Sequence, residues 1–252
     1  MAQERASLDD AYQVYDLGDG VYWVGFADRH AGFSNNPYLL ICGNEAVLID
    51  PGSILHYHVV AKKVLQVVKP EQITTIIVQH QDPDLCASIP KFEALIEHPI
   101  RVIVPHRADL FMPYYGVTSE LHVPEDRDAI VIGGRRLEFH ATPYVHFAYA
   151  IMTWDPMSRT LFSSDVYGAI TTHWRLFADK QYVEDTRTFI EPYIDSQAAW
   201  LYAIERTRAL KPRRICPQHG SIIDRDIDEY LDAVAKFHVG TLLPPKARDG
   251  AS

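Results

Sequence analysis

The sequence predicts a mixed α/β fold, because three kinds of stretch follow one another along its 252 residues. Short strand-like runs open the chain, a β-α-β unit follows, and a second series of short strands comes after it. Units of the β-α-β type favour parallel strands with ligand sites at their carboxyl ends. Functional side chains are therefore expected just after the predicted strands.

The first part of the chain is predicted to form three strands and one helix. The strands are rich in Val, Ile and aromatic residues, are separated by turn signals, and cover 21–26, 38–42 and 46–50. The helix covers 55–68, where valines recur at the spacing of one helix face, and Pro70 ends it.

The middle of the chain predicts the β-α-β unit and then a second sheet. The unit consists of an apolar strand over 73–78, a helix beginning at Pro90 and a strand over 101–104. From 120 to 160 the pattern returns to short strands, which predicts antiparallel hairpins. These strands are placed at 121–123, 129–132, 136–140, 149–154 and 160–162.

The last part of the chain predicts two helices around a strand. Periodicity is weak over 167–191, so this segment is predicted as a loop with short helices. A helix over 196–210 stops before Pro212, a strand covers 213–216, and a closing helix covers 227–237. No Pro-, Ser- or Gly-rich linker divides the sequence, so residues 1–252 are predicted to form a single domain.

Composition narrows the function classes. A net charge of -9 without a cluster of Lys and Arg argues against nucleic acid as a partner. No apolar run reaches the roughly 18 residues of a membrane span, and the first ten residues are polar rather than signal-like. A cytoplasmic protein without membrane association is therefore expected, and its three cysteines suit reduced thiols.

Six residues at predicted strand ends indicate a centre of two metal ions. Three of them lie within five residues directly after the strand 73–78, and the others follow later strands or a Pro/Gly turn. A lone His or Asp after a strand is more often a turn or cap residue, but six such residues together favour metal binding. The candidate ligands are His80, Asp82, Asp84, His146, Asp165 and His219.

These residues resemble the ligand motif of the metallo-β-lactamase fold, in which His-x-His-x-Asp-His is followed by His, Asp and His. The first part of the motif stands here as His80-Gln81-Asp82-Pro83-Asp84-Leu85. Two positions depart from it. Asp82 stands where hydrolytic members carry a second His, and Leu85 stands where most members carry another His.

A carboxylate at position 82 is similar to the pattern of flavodiiron proteins, whose lactamase-like domain holds a non-haem diiron centre and reduces oxygen or nitric oxide. Further segments look like that family's, at 21–25, 38–41, 48–50, 161–168 and 215–220, so the resemblance covers about residues 12 to 225. It implies a four-layer α/β/β/α metallo-β-lactamase-like sandwich. The flavodoxin-like domain that normally follows is not found before Ser252. The chain therefore resembles stand-alone oxygen-binding diiron proteins, and no flavin is expected in it.

The resemblance also implies how the ligands are divided. One metal takes His80, Asp82 and His146, the other takes Asp84 and His219, and Asp165 bridges both. Leu85 leaves the second metal one His short, which opens a position for a diatomic ligand or water. Mixed nitrogen and oxygen ligation suits iron or manganese, so two Fe ions are the expected cofactor, with Mn or Zn as alternatives.

The leading hypothesis is a non-haem diiron protein that binds dioxygen, as an oxygen sensor or as an oxygen or nitric oxide reductase. Its expected partners are dioxygen or another diatomic ligand and an external electron donor or signalling protein, and a homodimer is among the expected assemblies. Sensor and reductase need the same ligands, so both stay open. The alternative is a dinuclear-metal hydrolase of an ester or phosphodiester. Asp82 and Leu85 together favour the first hypothesis.

Overall fold

The computed structural model describes residues 10–28 and 30–243, and these ranges contain fourteen strands and seven α-helices. The strands β1 to β14 are Tyr15–Asp16, Val21–Trp23, Phe26–Asp28, Phe33–Asn35, Tyr38–Cys42, Glu45–Ile49, Ile73–Ile77, Arg101–Ile103, Glu120–His122, Ala129–Ile132, Arg135–Ala141, Ile151–Asp155, Thr160–Ser164 and Arg214–Pro217. The helices α1 to α7 are Tyr57–Val67, Pro83–Cys86, Ile89–Ile96, Met112–Tyr115, Tyr182–Tyr193, Gln197–Leu210 and Ile227–Val234.

Two sheets face each other and helices cover their outer faces. The first sheet has the order β1-β2-β5-β6-β7-β8-β9, and the second has the order β10-β11-β12-β13-β14. Their inner faces share one apolar cluster, which includes Val47 and Ile77 from the first sheet and Phe139 and Phe162 from the second. Helices α1, α3 and α4 pack on the outside of the first sheet, and α5, α6 and α7 on the outside of the second. The predicted four-layer α/β/β/α sandwich is confirmed.

Strand directions bring several carboxyl ends to one edge of the sandwich. In the first sheet, β6, β7, β8 and β9 are parallel neighbours. In the second sheet, β12 is antiparallel to both β11 and β13, and β14 is parallel to β13, so β11, β13 and β14 run the same way. Residues that follow β7, β11, β13 and β14 can therefore form one site.

The strand predicted at 121–123 was assigned to the second sheet, and that assignment is wrong. The strand β9 pairs in parallel with β8 in the first sheet, with Arg101 opposite Glu120 and Ile103 opposite His122. The connection between them contains α4, so it returns the chain in the same direction. An alternating pattern identifies a strand, but it does not identify the neighbour with which the strand pairs.

The segment 167–191 was predicted as a loop with short helices, but it leads into the twelve-residue helix α5. The buried positions of α5 are Tyr182, Thr186, Phe189 and Ile190, which is the spacing of one helix face. The stripe includes a threonine and is followed by Pro192 within the helix, so its apolar periodicity is weak in the sequence.

No helix within the described ranges is both long and apolar enough to cross a membrane. The single domain predicted for residues 1–252, the cytoplasmic location and the homodimer stay predictions.

Candidate metal centre

The loop after β7 carries three of the six candidate ligands. Val78 N donates to Ile103 O at 2.8 Å, which continues the sheet pairing up to the residues just before His80. Pro83 then begins the short helix α2, where its fixed φ suits the first turn. The residue before this proline and the residue after it are Asp82 and Asp84, so both carboxylates are held at the start of one helical turn.

The second sheet positions the other three candidates. The loop with His146 is closed at its base because Thr142 N donates to Ala150 O at 2.8 Å. Asp165 follows β13 directly, and His219 comes two residues after β14. Gln218 N donates to Ser164 O at 2.8 Å, which keeps the ends of these two strands together.

Asp165 lies between the imidazoles of both sheets. Its Oδ2 atom is 3.5 Å from His80 Nε2 and 3.3 Å from His146 Nε2. Its Oδ1 atom is 3.5 Å from His219 Nε2. One oxygen of this carboxylate therefore faces two imidazoles and the other oxygen faces a third, an arrangement that suits a bridging ligand.

The two remaining carboxylates divide between these groups. Asp82 Oδ2 is 3.1 Å from His146 Nε2 and 3.6 Å from His80 Nε2. Asp84 Oδ2 is 3.2 Å from His219 Nε2. The structure thus brings all six predicted residues together, and their role as metal ligands stays a prediction.

The donor atoms fit a metal site because two of them lack partners. His80 Nε2 and Asp165 Oδ1 are buried and have no hydrogen-bond partner among the described residues. An unpaired buried polar atom is costly, and a metal ion beside each atom would satisfy it. One ligand atom each of His80, His146 and Asp165 lies within 4.8 Å of the other two. Three imidazoles and three carboxylates suit iron or manganese.

Hydrogen bonds to the far side of two rings fix which nitrogen faces the site. His80 Nδ1 lies 2.8 Å from Ser164 Oγ, and His219 Nδ1 lies 2.6 Å from Ser34 O. Because a carbonyl accepts only, Nδ1 of His219 carries a hydrogen, and Nε2 is the nitrogen that faces the site. Sequence reasoning did not identify either serine as part of the site.

Aromatic rings line the site, and sequence reasoning missed them as well. The ring of Phe33 lies 4.5 Å from that of His219, and the ring of Tyr193 lies 4.5 Å from that of His146. The hydroxyl of Tyr193 is 3.4 Å from His146 Nε2. A signal was present, since Phe189 and Tyr193 are four residues apart and so share a helix face, but the segment 167–191 had been predicted as a loop with short helices.

Without metal, the imidazoles take up protons to balance the carboxylates. Burial alone lowers the pKa of His146, but hydrogen bonds to Asp165 and Asp82 outweigh it and raise the pKa to about 10. Burial also lowers the pKa of His219, but the hydrogen bond to Asp84 and the charge of Asp165 outweigh it and raise the pKa to about 9. Burial raises the pKa of Asp165, but the neighbouring imidazoles lower it to about 2.

Metal binding is therefore expected to release protons and to strengthen as pH rises. Neutral pH lies below the pKa values of His146 and His219, so both imidazoles stay protonated in the metal-free chain. A metal must displace these protons, so its affinity should rise about tenfold per pH unit for each proton displaced. Titration calorimetry in buffers of different ionisation enthalpy measures the number released. A metal affinity independent of pH between about 6 and 8 contradicts this prediction.

Comparison with known proteins identifies a family that matches this sequence. A family model described as "ODP family beta lactamase" matches residues 33–220. The rubredoxin-oxygen oxidoreductase of Megalodesulfovibrio gigas is 23% identical over 248 residues, which cover 89% of this chain and 60% of the relative. The chain spans about three fifths of the length of the curated relatives it matches most significantly.

Solved structures share the fold, and two of them illustrate the match. A mutant of the flavo di-iron protein from Thermotoga maritima superposes with a TM-score of 0.80 at 25% identity, over 88% of this chain and 60% of that one. A peroxy diiron species of the chemotaxis sensor ODP superposes with a TM-score of 0.77 at 23% identity. The second match covers 90% of this chain and 96% of the sensor.

Proposed function

We propose, from the premise that this chain belongs to the ODP family beta lactamase group, that it is a non-haem diiron protein that binds dioxygen. The observation that carries the proposal is the placement of Asp165, whose Oδ2 atom faces two imidazoles and whose Oδ1 atom faces a third, at 3.3–3.5 Å. Such a carboxylate can bridge two ions. A solved peroxy diiron species of the chemotaxis sensor ODP has the same fold, which supports the proposal.

Each ion has its own set of residues in this proposal. His80, Asp82 and His146 hold the first ion, Asp84 and His219 hold the second, and Asp165 is shared. Two iron ions, when bound, supply the electrons that binding of dioxygen requires. Zinc has no redox chemistry, and the carboxylate-rich ligand set suits iron or manganese better.

Leu85 gives the second ion fewer donors than the first. Its side chain is fully buried, and it lies outside the three apolar clusters formed by the described residues. An apolar side chain beside Asp84 offers no hydrogen bond to a hydroxide nucleophile, which needs such partners. The proposed open position therefore favours a neutral diatomic molecule over hydrolysis.

Tyr193 supplies a hydrogen-bond donor at the mouth of the site. Burial and the charges of Asp165 and Asp82 raise the pKa of its phenol, so the hydroxyl keeps its proton at neutral pH. Once a metal occupies His146 Nε2, the hydroxyl 3.4 Å from that atom is free to donate elsewhere. In this proposal it donates to the bound diatomic ligand.

Tyr193→Phe is expected to leave the metal content unchanged and to weaken dioxygen binding about fivefold. The reason is the loss of one hydrogen bond worth about 1 kcal/mol. Oxygen titration of the iron-loaded protein, followed by absorbance, measures the effect. Tyr202→Phe is a matched control, because Tyr202 is 39% exposed on α6 and has no contact with the six residues. Equal affinities of Tyr193→Phe and the unaltered chain contradict this role.

The partner class follows from the same relatives. One relative is named for rubredoxin and oxygen, and another is a chemotaxis sensor. An external electron donor or a signalling protein is accordingly the proposed partner of this chain. Turnover of oxygen with a reduced donor separates the two uses, because a sensor holds its ligand without consuming it.

Metal analysis tests the central proposal. Protein produced with iron available is expected to carry about two iron ions per chain, since the six candidate ligands form two groups around one shared carboxylate. The anaerobically reduced protein should change its absorption spectrum on exposure to oxygen. Zinc alone, with no spectral response to oxygen, would refute the redox function and favour the hydrolase.

A further inference from the structure

The candidate site is assembled from both sheets. His80, Asp82 and Asp84 follow a strand of the first sheet, whereas His146, Asp165 and His219 follow strands of the second. The distance of His80 Nε2 from Asp165 and from His146 therefore depends on how the sheets are held relative to each other. A residue that links the sheets beside His80 would control that distance.

Gln79 is such a residue, since it directly precedes His80 and makes hydrogen bonds to both sheets. Its side chain is 1% exposed. In the second sheet, Thr153 N donates to its Oε1 atom at 2.8 Å, and Ile151 N donates to its backbone carbonyl at 3.1 Å. Both donors belong to β12, two residues apart, so the side chain and the carbonyl of Gln79 together pair with one strand.

Asp50 holds the other side of Gln79. Its Oδ1 atom accepts from Gln79 N at 2.9 Å, and its Oδ2 atom accepts from Gln79 Nε2 at 2.7 Å. Asp50 follows β6 of the first sheet, is 1% exposed, and is itself fixed because its N–H donates to Ile77 O at 2.8 Å. Every polar group of Gln79 is therefore used, two on the first sheet and two on the second.

We infer that Gln79, held by Asp50, is a positioning residue that sets His80 Nε2 against Asp165 and His146, a role that rests on the proposed metal site. Glutamine suits this position because its amide donates to a carboxylate on one side and accepts an N–H on the other. An ionised glutamate cannot donate to Asp50, and an apolar residue makes neither bond. Groups that orient metal ligands typically change metal affinity by about 10–100-fold when removed.

Titration of the metal-free chain with cobalt(II) alone tests this role. Gln79→Met keeps a similar volume and removes both side-chain bonds, and Asp50→Asn sets an amide N–H against one of the two donors of Gln79. Each variant is expected to lower the affinity for the first ion about 10–100-fold and to change the visible absorption bands of the bound cobalt. The affinity for the second ion, at Asp84 and His219, should change less.

An exchange of the two groups is the matched control. In Asp50→Asn with Gln79→Glu, the new asparagine accepts from the backbone N–H and donates to the new glutamate, which still accepts from Thr153 N. All four hydrogen bonds are kept, so the absorption bands and the affinity for the first ion are expected to return to within a few-fold of those of the unaltered chain. Circular dichroism of each metal-free variant tests whether that variant is folded.

The outcomes separate this role from the proposed function. Single variants that are less stable but bind both ions with unchanged affinity and bands would show a merely structural residue and overturn the inference. A folded exchange variant that stays as weak as the single variants would overturn it too. If the unaltered chain binds no pair of ions, the proposed function itself is wrong. If the single variants do not fold, recovery of both fold and bands in the exchange variant supports the role, and recovery of fold alone contradicts it.

Discussion

Asp165→Asn is expected to abolish the metal pair, because it replaces one oxygen of the carboxylate that both proposed ions share. The amide has nearly the same shape as the carboxylate, so the change tests charge and ligation rather than packing. Its nitrogen would face either the imidazoles at 3.3–3.5 Å or His219 on the other side. The loss of affinity should exceed the roughly 10–100-fold that removal of a supporting group causes, and iron analysis after dialysis measures it.

Two further variants show whether the shared position is the cause. Asp84→Asn touches only the second group, in which Asp84 lies 3.2 Å from His219, so it is expected to lose one ion and keep the other. Asp232→Asn alters a 67% exposed carboxylate on α7 and should keep both. Retention of two ions by Asp165→Asn would contradict the bridging role.

The parts of the fold that the sequence predicts are those with local causes. The apolar strand before His80 and the helix after it follow from the spacing of apolar residues and from the Pro and Gly residues that end elements. The resemblance then implied the order of the layers. The strand Glu120–His122 was assigned to the wrong sheet because pairing is decided by the path of the connection. The helix Tyr182–Tyr193 was predicted only as short helices within a loop, because a threonine fills one of its buried positions.

The candidate site divides in the same way. Dense spacing marked His80, Asp82 and Asp84, since three metal-binding side chains within five residues are rarely needed for a turn. Ser34 could not be found from the sequence, because its bond to His219 joins residues 185 positions apart. It uses a backbone carbonyl, which every residue has, so no residue type signals it. Gln79 was visible beside His80, but its partners lie in other strands.

Leu85→His is expected to raise the affinity for the second ion and to weaken the binding of dioxygen. An imidazole at this position would add a nitrogen donor beside Asp84, where the proposed second group has only Asp84, His219 and the shared Asp165. A gain of about tenfold or more in metal affinity is expected, since even supporting groups have effects of this size. Filling the open position should lower the affinity for dioxygen, and a change in the absorption spectrum of the iron-loaded protein should accompany it.

The control for Leu85→His must keep the packing, because Leu85 is fully buried. Leu85→Ile conserves volume and adds no donor, and such exchanges usually cost less than about 1.5 kcal/mol of stability. It should therefore keep the spectrum and the oxygen affinity of the unaltered chain. Anaerobic metal titration followed by mixing with oxygen in a stopped-flow spectrometer compares the three proteins. If Leu85→His and Leu85→Ile behave alike, the added imidazole does not reach the metal. The leucine then only fills space, and the proposed preference for a diatomic ligand must come from elsewhere in the site, such as the hydroxyl of Tyr193, which lies 3.4 Å from His146 Nε2.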